Sequence, residues 1–99
     1  MEEIKKQEIK IEIDEPTSQG VYANLAMIGH SEDEFVIDFI FLQPQNPKAK
    51  VRSRIVTSPG HAKRFLAALK ENISKYEAHF GEIKVSVQQE GEKNIGFLH

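Results

Sequence analysis

The sequence predicts an α+β domain: an antiparallel β-meander of four strands, with a fifth as an alternative, followed by one long C-terminal amphipathic helix packed on one sheet face. Two observations support this fold class. Apolar and polar residues alternate with a period of two in four segments between residues 7 and 57. After a Ser-Pro-Gly junction at residues 58–60, apolar residues recur at spacings of three and four up to Phe80. The predicted order of elements is therefore β-β-β-β-α.

The length and composition predict one domain over residues 1–99, with its core in about 7–83 and flexible ends at 1–6 and 88–99. With 39% hydrophobic and 28% charged residues, the chain resembles ordinary globular domains. It has no cysteine, which excludes a disulfide framework, a cysteine-ligated zinc site and thiol catalysis. The charged start is unlike a signal peptide, and no apolar run approaches the roughly 20 residues of a membrane helix. We therefore expect a cytoplasmic protein without a membrane segment.

The strand boundaries follow from alternation and from turn-forming residues. The first strand is expected at roughly 7–14, where Ile9, Ile11 and Ile13 alternate with charged residues, and a Pro- and Gly-containing turn follows at 15–20. Three further strands are expected at 21–30, about 34–42 and about 49–57. A fifth, edge strand is suggested by the alternation of Ile83, Val85 and Val87.

The helix has clear start and stop signals. Ser58 can cap the free amides of a helix start, and Pro59 falls at the first helical position, where its missing N–H is harmless. Gly81 supplies a C-terminal stop. Between these ends runs one apolar stripe, formed by Ala62, Phe65, Leu66, Leu69, Ile73, Tyr76 and Phe80.

One helix covers one face of a sheet, so the other face needs a second explanation. If the helix covers Ile11, Leu25, Phe35, Ile37, Phe39, Val51 and Ile55, apolar residues remain on the far side. Such a patch usually marks an interface, and we expect a homo-oligomer, most simply a dimer made sheet to sheet. The candidate interface residues are Tyr22, Ile28, Val36, Ile40, Leu42 and Val56. The alternative is that the tail or the N-terminal arm covers this face within one chain.

The strand pattern also places one acid opposite basic residues. Asp38 has the same parity as Arg52 and Arg54 on the next strand, so the charges can pair across strands. A basic neighbour lowers the pKa of an acid, which is the wrong direction for a general acid. We therefore interpret Asp38 as a structural partner and not as a catalytic carboxylate.

The charges are unevenly distributed around a net charge of −2. The chain is acidic through residue 34 and basic between Lys48 and Lys75. Helix N-termini usually favour acidic residues, so basic residues at this position need an explanation. A bound anion would provide one, and so would nearby acidic residues of the same chain or of a partner. The anion-binding candidates are Ser58, Gly60, His61, Lys63 and Arg64, together with Arg52 and Arg54. The lack of aromatic residues among them weighs against nucleic acid as the partner without excluding it.

No catalytic constellation is identifiable. His30 lies near Glu32, Asp33 and Glu34, but the spacing is not that of a metal site, and we interpret this segment as a solvated hairpin turn. No serine lies in a Gly-x-Ser-x-Gly elbow. The sequence therefore predicts a protein that is not an enzyme, with no metal and no cofactor.

Several segments resemble a family of small uncharacterised bacterial proteins. They are Tyr22-Ala23-Asn24, Glu34 to Phe39, Arg54-Ile55-Val56, Ser58-Pro59, His61-Ala62-Lys63, Lys75-Tyr76-Glu77 and Phe80-Gly81, within about 20–83. This resemblance implies a bacterial cytoplasmic setting and no particular activity. Four antiparallel strands followed by a helix are also similar to the secretion-chaperone (SecB-type) arrangement, which binds unfolded polypeptide, although only at the level of fold. We expect a non-enzymatic, oligomeric protein-interaction or binding module, with anion binding or chaperone-like peptide binding as the alternatives.

Overall fold

The computed structural model describes residues 8–86. Its elements, in chain order, are α1 (Glu15–Ser18), β1 (Leu25–His30), β2 (Phe35–Leu42), β3 (Ala49–Thr57) and α2 (Pro59–Phe80). The strands form a three-stranded antiparallel sheet of order β1-β2-β3, so β2 is central. The α+β class, the antiparallel sheet and the C-terminal helix are confirmed. A fourth strand is absent from residues 8–86.

Residues 8–14 do not form the predicted first strand. The segment is not paired with the sheet, and Ile11 is 92% exposed. The predicted turn that follows is instead the helical turn α1, because the Asp14 side chain accepts a hydrogen bond from the Thr17 N–H at 2.9 Å and a proline occupies the first turn. Hydrogen bonding from Thr17, from its side chain first and its N–H second, lowers the pKa of Asp14. After α1, Gly20 and Val21 lie beside residues of β3. Residues 8–14 therefore do not form a hairpin with β1.

β1 begins at Leu25, four residues later than the strand that alternation predicts from Val21. The cause is the Asn24 side chain, which donates to the Leu42 carbonyl at 3.0 Å and accepts from the Leu42 N–H at 2.9 Å. An amide side chain thus takes the place of a backbone pair at this end of the ladder. Tyr22 lies farther out, with its ring edge-on to that of Phe41 at 6.0 Å.

The register assigns side chains to the two faces of the sheet. Ile28 lies opposite Ile37, whereas Leu25 lies opposite Ile40. A register shift pairs Phe39 with Ser53 but Ile40 with Val51, which leaves Arg52 as the extra residue of a β-bulge. The Ile37 face carries Ala26, Ile28, Phe35, Ile37, Phe39, Phe41, Ser53, Ile55 and Thr57, and the Asp38 face carries Leu25, Met27, Val36, Asp38, Ile40, Leu42, Val51, Arg54 and Val56. The expectation that Leu25 and Val51 share a face with Ile37 is wrong.

The expectation that the helix packs along one face of the sheet is also wrong. No residue of α2 is buried, and in the described part of the chain only Ile37, Asp38 and Ile40 have buried side chains. A single residue, Ser58, separates β3 from α2. This connection is shorter than the roughly two to six residues that usually let a helix turn back onto its sheet. The three-stranded sheet therefore leaves most of the apolar stripe of α2 uncovered.

Residues 81–86 form no strand, so the predicted fifth strand is not present within the described residues. Val87, which belongs to that prediction, lies outside the described residues, as do 1–6 and 88–99. The start and stop of α2 agree with the sequence signals. Ser58 has extended φ and ψ angles of −80° and 157°, and Gly81 has a φ of 100°, which favours glycine.

Candidate interaction surface

The apolar residues of α2 form a stripe that stays exposed among the described residues. We call Ala62, Leu66, Leu69, Ile73, Tyr76 and Phe80 the helix seam. Leu66 is 62% exposed and Phe80 is 69% exposed, and the three seam residues between them are close to half exposed. The rings of Tyr76 and Phe80 contact each other with centroids 5.0 Å apart, so they form a small aromatic cluster at the end of the helix. The helix orders the seam, but the other elements described within residues 8–86 leave it largely exposed.

The start of α2 is held by its cap. The Ser58 hydroxyl accepts a hydrogen bond from the His61 N–H at 3.1 Å, and the Ser58 carbonyl accepts one from the Ala62 N–H at 2.9 Å. Pro59 has no N–H to satisfy. These contacts fix the direction of the helix immediately after β3 and so position the seam.

An apolar groove lies between the Ile37 face and the first turns of α2. It has a volume of about 220 Å³ and is lined by Ile37, Phe39, Ile55, Thr57, His61 and Phe65. Phe65 thus belongs to the stripe but turns toward the chain's own sheet. The remaining stripe residues are the seam, and none of them lines this groove.

On the other face, Asp38 pairs with Arg54, one of the two partners that parity allows; Arg52, the other, is the bulged residue. The Arg54 Nε donates to Asp38 Oδ1 at 2.7 Å, and Nη2 donates to Oδ2 at 2.9 Å, a two-point contact. Asp38 is 4% exposed, whereas the Arg54 side chain is 64% exposed. The hydrogen bond from Arg54 lowers the pKa of Asp38 and outweighs the effect of burial, which acts in the opposite direction. The carboxylate therefore stays charged at neutral pH, as a structural anchor does.

The anion-binding candidates are not all brought together. Ser58 and His61 meet in the cap, and the Arg64 guanidinium lies over Gly60, 3.5 Å from the place where a Cβ would stand. Arg54, by contrast, is held by Asp38 on the opposite face from the groove that His61 lines. Lys63 and the bulged Arg52 are exposed. Anion binding at the helix start stays a prediction, with Arg54 engaged elsewhere.

The interface candidates divide between the two faces. Val36, Ile40, Leu42 and Val56 lie on the Asp38 face, whereas Ile28 lies on the Ile37 face and Tyr22 contacts Phe41 on that side. Ile40 is already 4% exposed within the single chain. The uncovered apolar area on the Asp38 face is thus smaller than the sequence implies, and the helix seam offers more.

The turn at residues 30–34 has local contacts only. The His30 ring stacks on Phe35 with centroids 5.4 Å apart, and the Ser31 hydroxyl accepts from the Asp33 N–H at 3.3 Å. Within residues 8–86, no three histidine or acidic side chains are grouped so that they could hold a metal ion. In the same range, no helix is long and apolar enough to cross a membrane.

Sequence reasoning missed two features of this surface. The sequence carries no local signal for the role of Asn24, because its partner Leu42 is 18 residues away. Phe65 departs from the alternating spacing of the seam, but spacing alone does not tell that its side chain lines a groove against the sheet.

The fold and this surface define a small α+β protein that presents an uncovered amphipathic helix beside a three-stranded sheet. The chain belongs to the family described as "Protein of unknown function (DUF3467)", which it matches over residues 1–85. No curated protein and no solved structure matches it. Asn24, Asp38, Arg54 and Ser58 lie in the segments that carry the family resemblance, and their side chains hold the ladder end, the sheet and the helix start.

Proposed function

We propose that this protein is a non-enzymatic interaction module that works as a homo-oligomer, most simply a dimer. The observation that carries the proposal is that α2 buries no residue although it bears the longest apolar stripe of the described chain. Monomeric proteins rarely leave a contiguous apolar surface of this kind in water, and such surfaces usually mark an interface.

The free energy of burying apolar side chains also favours self-association. Fully burying a large apolar side chain is worth roughly 1.5–3 kcal/mol. Covering the five large seam residues from their half-exposed state is then worth on the order of 5 kcal/mol, comparable to the net stability of a small domain. With only Ile37, Asp38 and Ile40 buried among the described residues, the single chain has little core of its own. A second copy would complete it.

A pair of substitutions on α2 tests this proposal. Leu69→Glu places a charge in the seam, while Ala67→Glu places the same charge two residues away, outside the seam. We expect sedimentation velocity to show that Leu69→Glu lowers the mass to that of one chain, with helix content measured by circular dichroism as the check on folding. Ala67→Glu should sediment like the unchanged protein. Equal masses for the two variants and the unchanged protein would contradict the proposal.

A further inference from the structure

The helix seam has the period of a coiled coil. Ala62, Leu66, Leu69, Ile73, Tyr76 and Phe80 follow each other at spacings of four, three, four, three and four residues. Alternating spacings of four and three repeat every seven residues, as in the narrow seam between two helices, whereas a helix lying on a sheet usually shows a wider stripe. Phe65, which breaks the period, is the stripe residue that lines the groove against the chain's own sheet. The two parts of the stripe therefore serve different neighbours.

We propose that α2 pairs with α2 of a second copy in an antiparallel two-helix interface, centred near Glu71. In this register Ala62 faces Phe80 of the second copy, Leu66 faces Tyr76, and Leu69 faces Ile73. The inference rests on the proposed self-association and specifies its surface, orientation and register.

Side-chain size distinguishes the two possible orientations. Antiparallel pairing sets the smallest seam residue, Ala62, against the large Phe80 at both ends of the interface. Parallel pairing would set Phe80 against Phe80 at one end and Ala62 against Ala62 at the other, leaving one end overfilled and the other underfilled. Because both errors destabilise a packed interface, complementary sizes favour the antiparallel arrangement.

The charges beside the seam favour the same orientation. One flank carries Lys63, Lys70 and Glu77, and the other carries Phe65, Asn72 and His79. In an antiparallel pair each flank lies beside the same flank of the second copy. The dimer then contains two favourable pairs of Lys63 with Glu77 and one unfavourable pair of Lys70 with Lys70. In a parallel pair unlike flanks meet, and neither lysine finds a carboxylate. Such exposed pairs add little affinity, but they select between orientations.

The absence of cysteine from the sequence allows a direct test by disulfide formation. We would make Ala62→Cys and Phe80→Cys separately, and Glu71→Cys as a control on the outer side of the helix. In the antiparallel register the two copies of position 62 lie about 27 Å apart, from 18 residues at 1.5 Å each, which is too far for a disulfide. We expect no cross-linked dimer from either variant alone and a disulfide-linked pair when Ala62→Cys and Phe80→Cys are mixed and allowed to exchange before oxidation.

The outcomes separate this inference from the proposed function. Cross-linking of Ala62→Cys with itself would show parallel helices and overturn the inference while leaving self-association intact. A dimeric mass with no cross-link in the mixture would show that the chains associate through another surface, and would also overturn it. A monomeric mass for the unchanged protein would overturn the proposed function itself. Cross-linking of Glu71→Cys to the same extent as the mixture would mean non-specific oxidation and would likewise count against the register.

Discussion

Asp38 and Arg54 face each other across β2 and β3, and the guanidinium meets both carboxylate oxygens, at 2.7 and 2.9 Å. The acid is buried and the base is largely exposed. Asp38 depends on Arg54 to offset its loss of hydration. Substituting either residue should therefore lower the stability of the fold more than substituting an ordinary surface charge does.

Removing the base should therefore destabilise the sheet. We predict that Arg54→Ala lowers the melting temperature clearly, because it leaves the Asp38 carboxylate buried without its partner. Arg52→Ala, at the exposed bulge of the same strand, is the matched control and should change it little. The double change Asp38→Leu with Arg54→Leu should recover most of the loss, since an apolar pair needs no hydrogen bonds there. Equal effects of Arg54→Ala and Arg52→Ala in thermal unfolding would count against a structural role for the pair.

The same pair predicts a loss of stability in acid. The hydrogen bond from Arg54 holds the pKa of Asp38 below its ordinary value of 3.8. The unfolded chain therefore takes up this proton at a higher pH than the folded chain does, so the pair contributes fully above about pH 4 and its contribution is lost as the pH falls below that. Urea unfolding at fixed protein concentration, from about pH 6 to about pH 2.5, should show a shallower acid dependence for Asp38→Asn than for Asp33→Asn, an exposed control. Identical slopes would refute the prediction.

Two glycines of the helix should respond in opposite ways to alanine. Gly81 has a φ of 100° and a ψ of 167°, a region that is open almost only to glycine, so Gly81→Ala should cost on the order of 1–3 kcal/mol. Gly60 lies within the first turn, where a Cβ would meet only the Arg64 guanidinium at an ordinary 3.5 Å. Gly60→Ala should stabilise by about 0.4–1 kcal/mol. Chemical denaturation of both variants checks the two signs, and the same sign for both would be inconsistent with these backbone angles.

The arm at residues 8–14 should contribute little to the stability of the single chain. Ile11 is exposed outside the sheet, so Ile11→Ala should change the free energy of unfolding by less than about 0.5 kcal/mol. Ile40→Ala removes one of the few buried side chains and should cost about 2–5 kcal/mol. A large loss for Ile11→Ala would show that the arm is a strand after all.

The charges that flank the seam predict that a second substitution can restore self-association lost through a first. Lys63→Glu should weaken self-association roughly tenfold, because it replaces two Lys–Glu meetings in the dimer with two meetings of like charge. Adding Glu77→Lys should restore the association, although it also removes the hydrogen bond from the Ile83 N–H to the Glu77 carboxylate at 3.0 Å. Sedimentation equilibrium measures both. A double variant weaker than Lys63→Glu alone would contradict the antiparallel pairing.

The elements with local signals could be predicted from the sequence, and those that depend on distant partners could not. Ser58, Pro59 and Gly81 mark the ends of α2 through their own backbone chemistry. Parity predicts that Asp38 pairs with Arg52 or Arg54, and the register selects Arg54. The face of β1 depends on register, which the neighbouring strand sets. The alternating isoleucines of residues 8–14 satisfy the pattern of a strand, but the pattern does not determine pairing, and these residues pair with neither edge of the sheet.

The candidate surface shows the same division. The apolar stripe of α2 is visible in the sequence, but the expectation of a homo-oligomer came from the second face of the sheet and not from this stripe. What covers the stripe was not predictable, because the single-residue connection at Ser58 decides whether the helix returns to its own sheet. Once the helix leaves the sheet, the seam becomes the main uncovered apolar surface and the Asp38 face becomes secondary.

The mass of the unchanged protein in solution, measured by light scattering over a wide range of concentrations, tests self-association most directly. A seam that needs a second copy predicts about twice the chain mass of 11.3 kDa, falling toward one chain only on strong dilution. A mass of one chain at every concentration, from a protein that unfolds cooperatively, would contradict it.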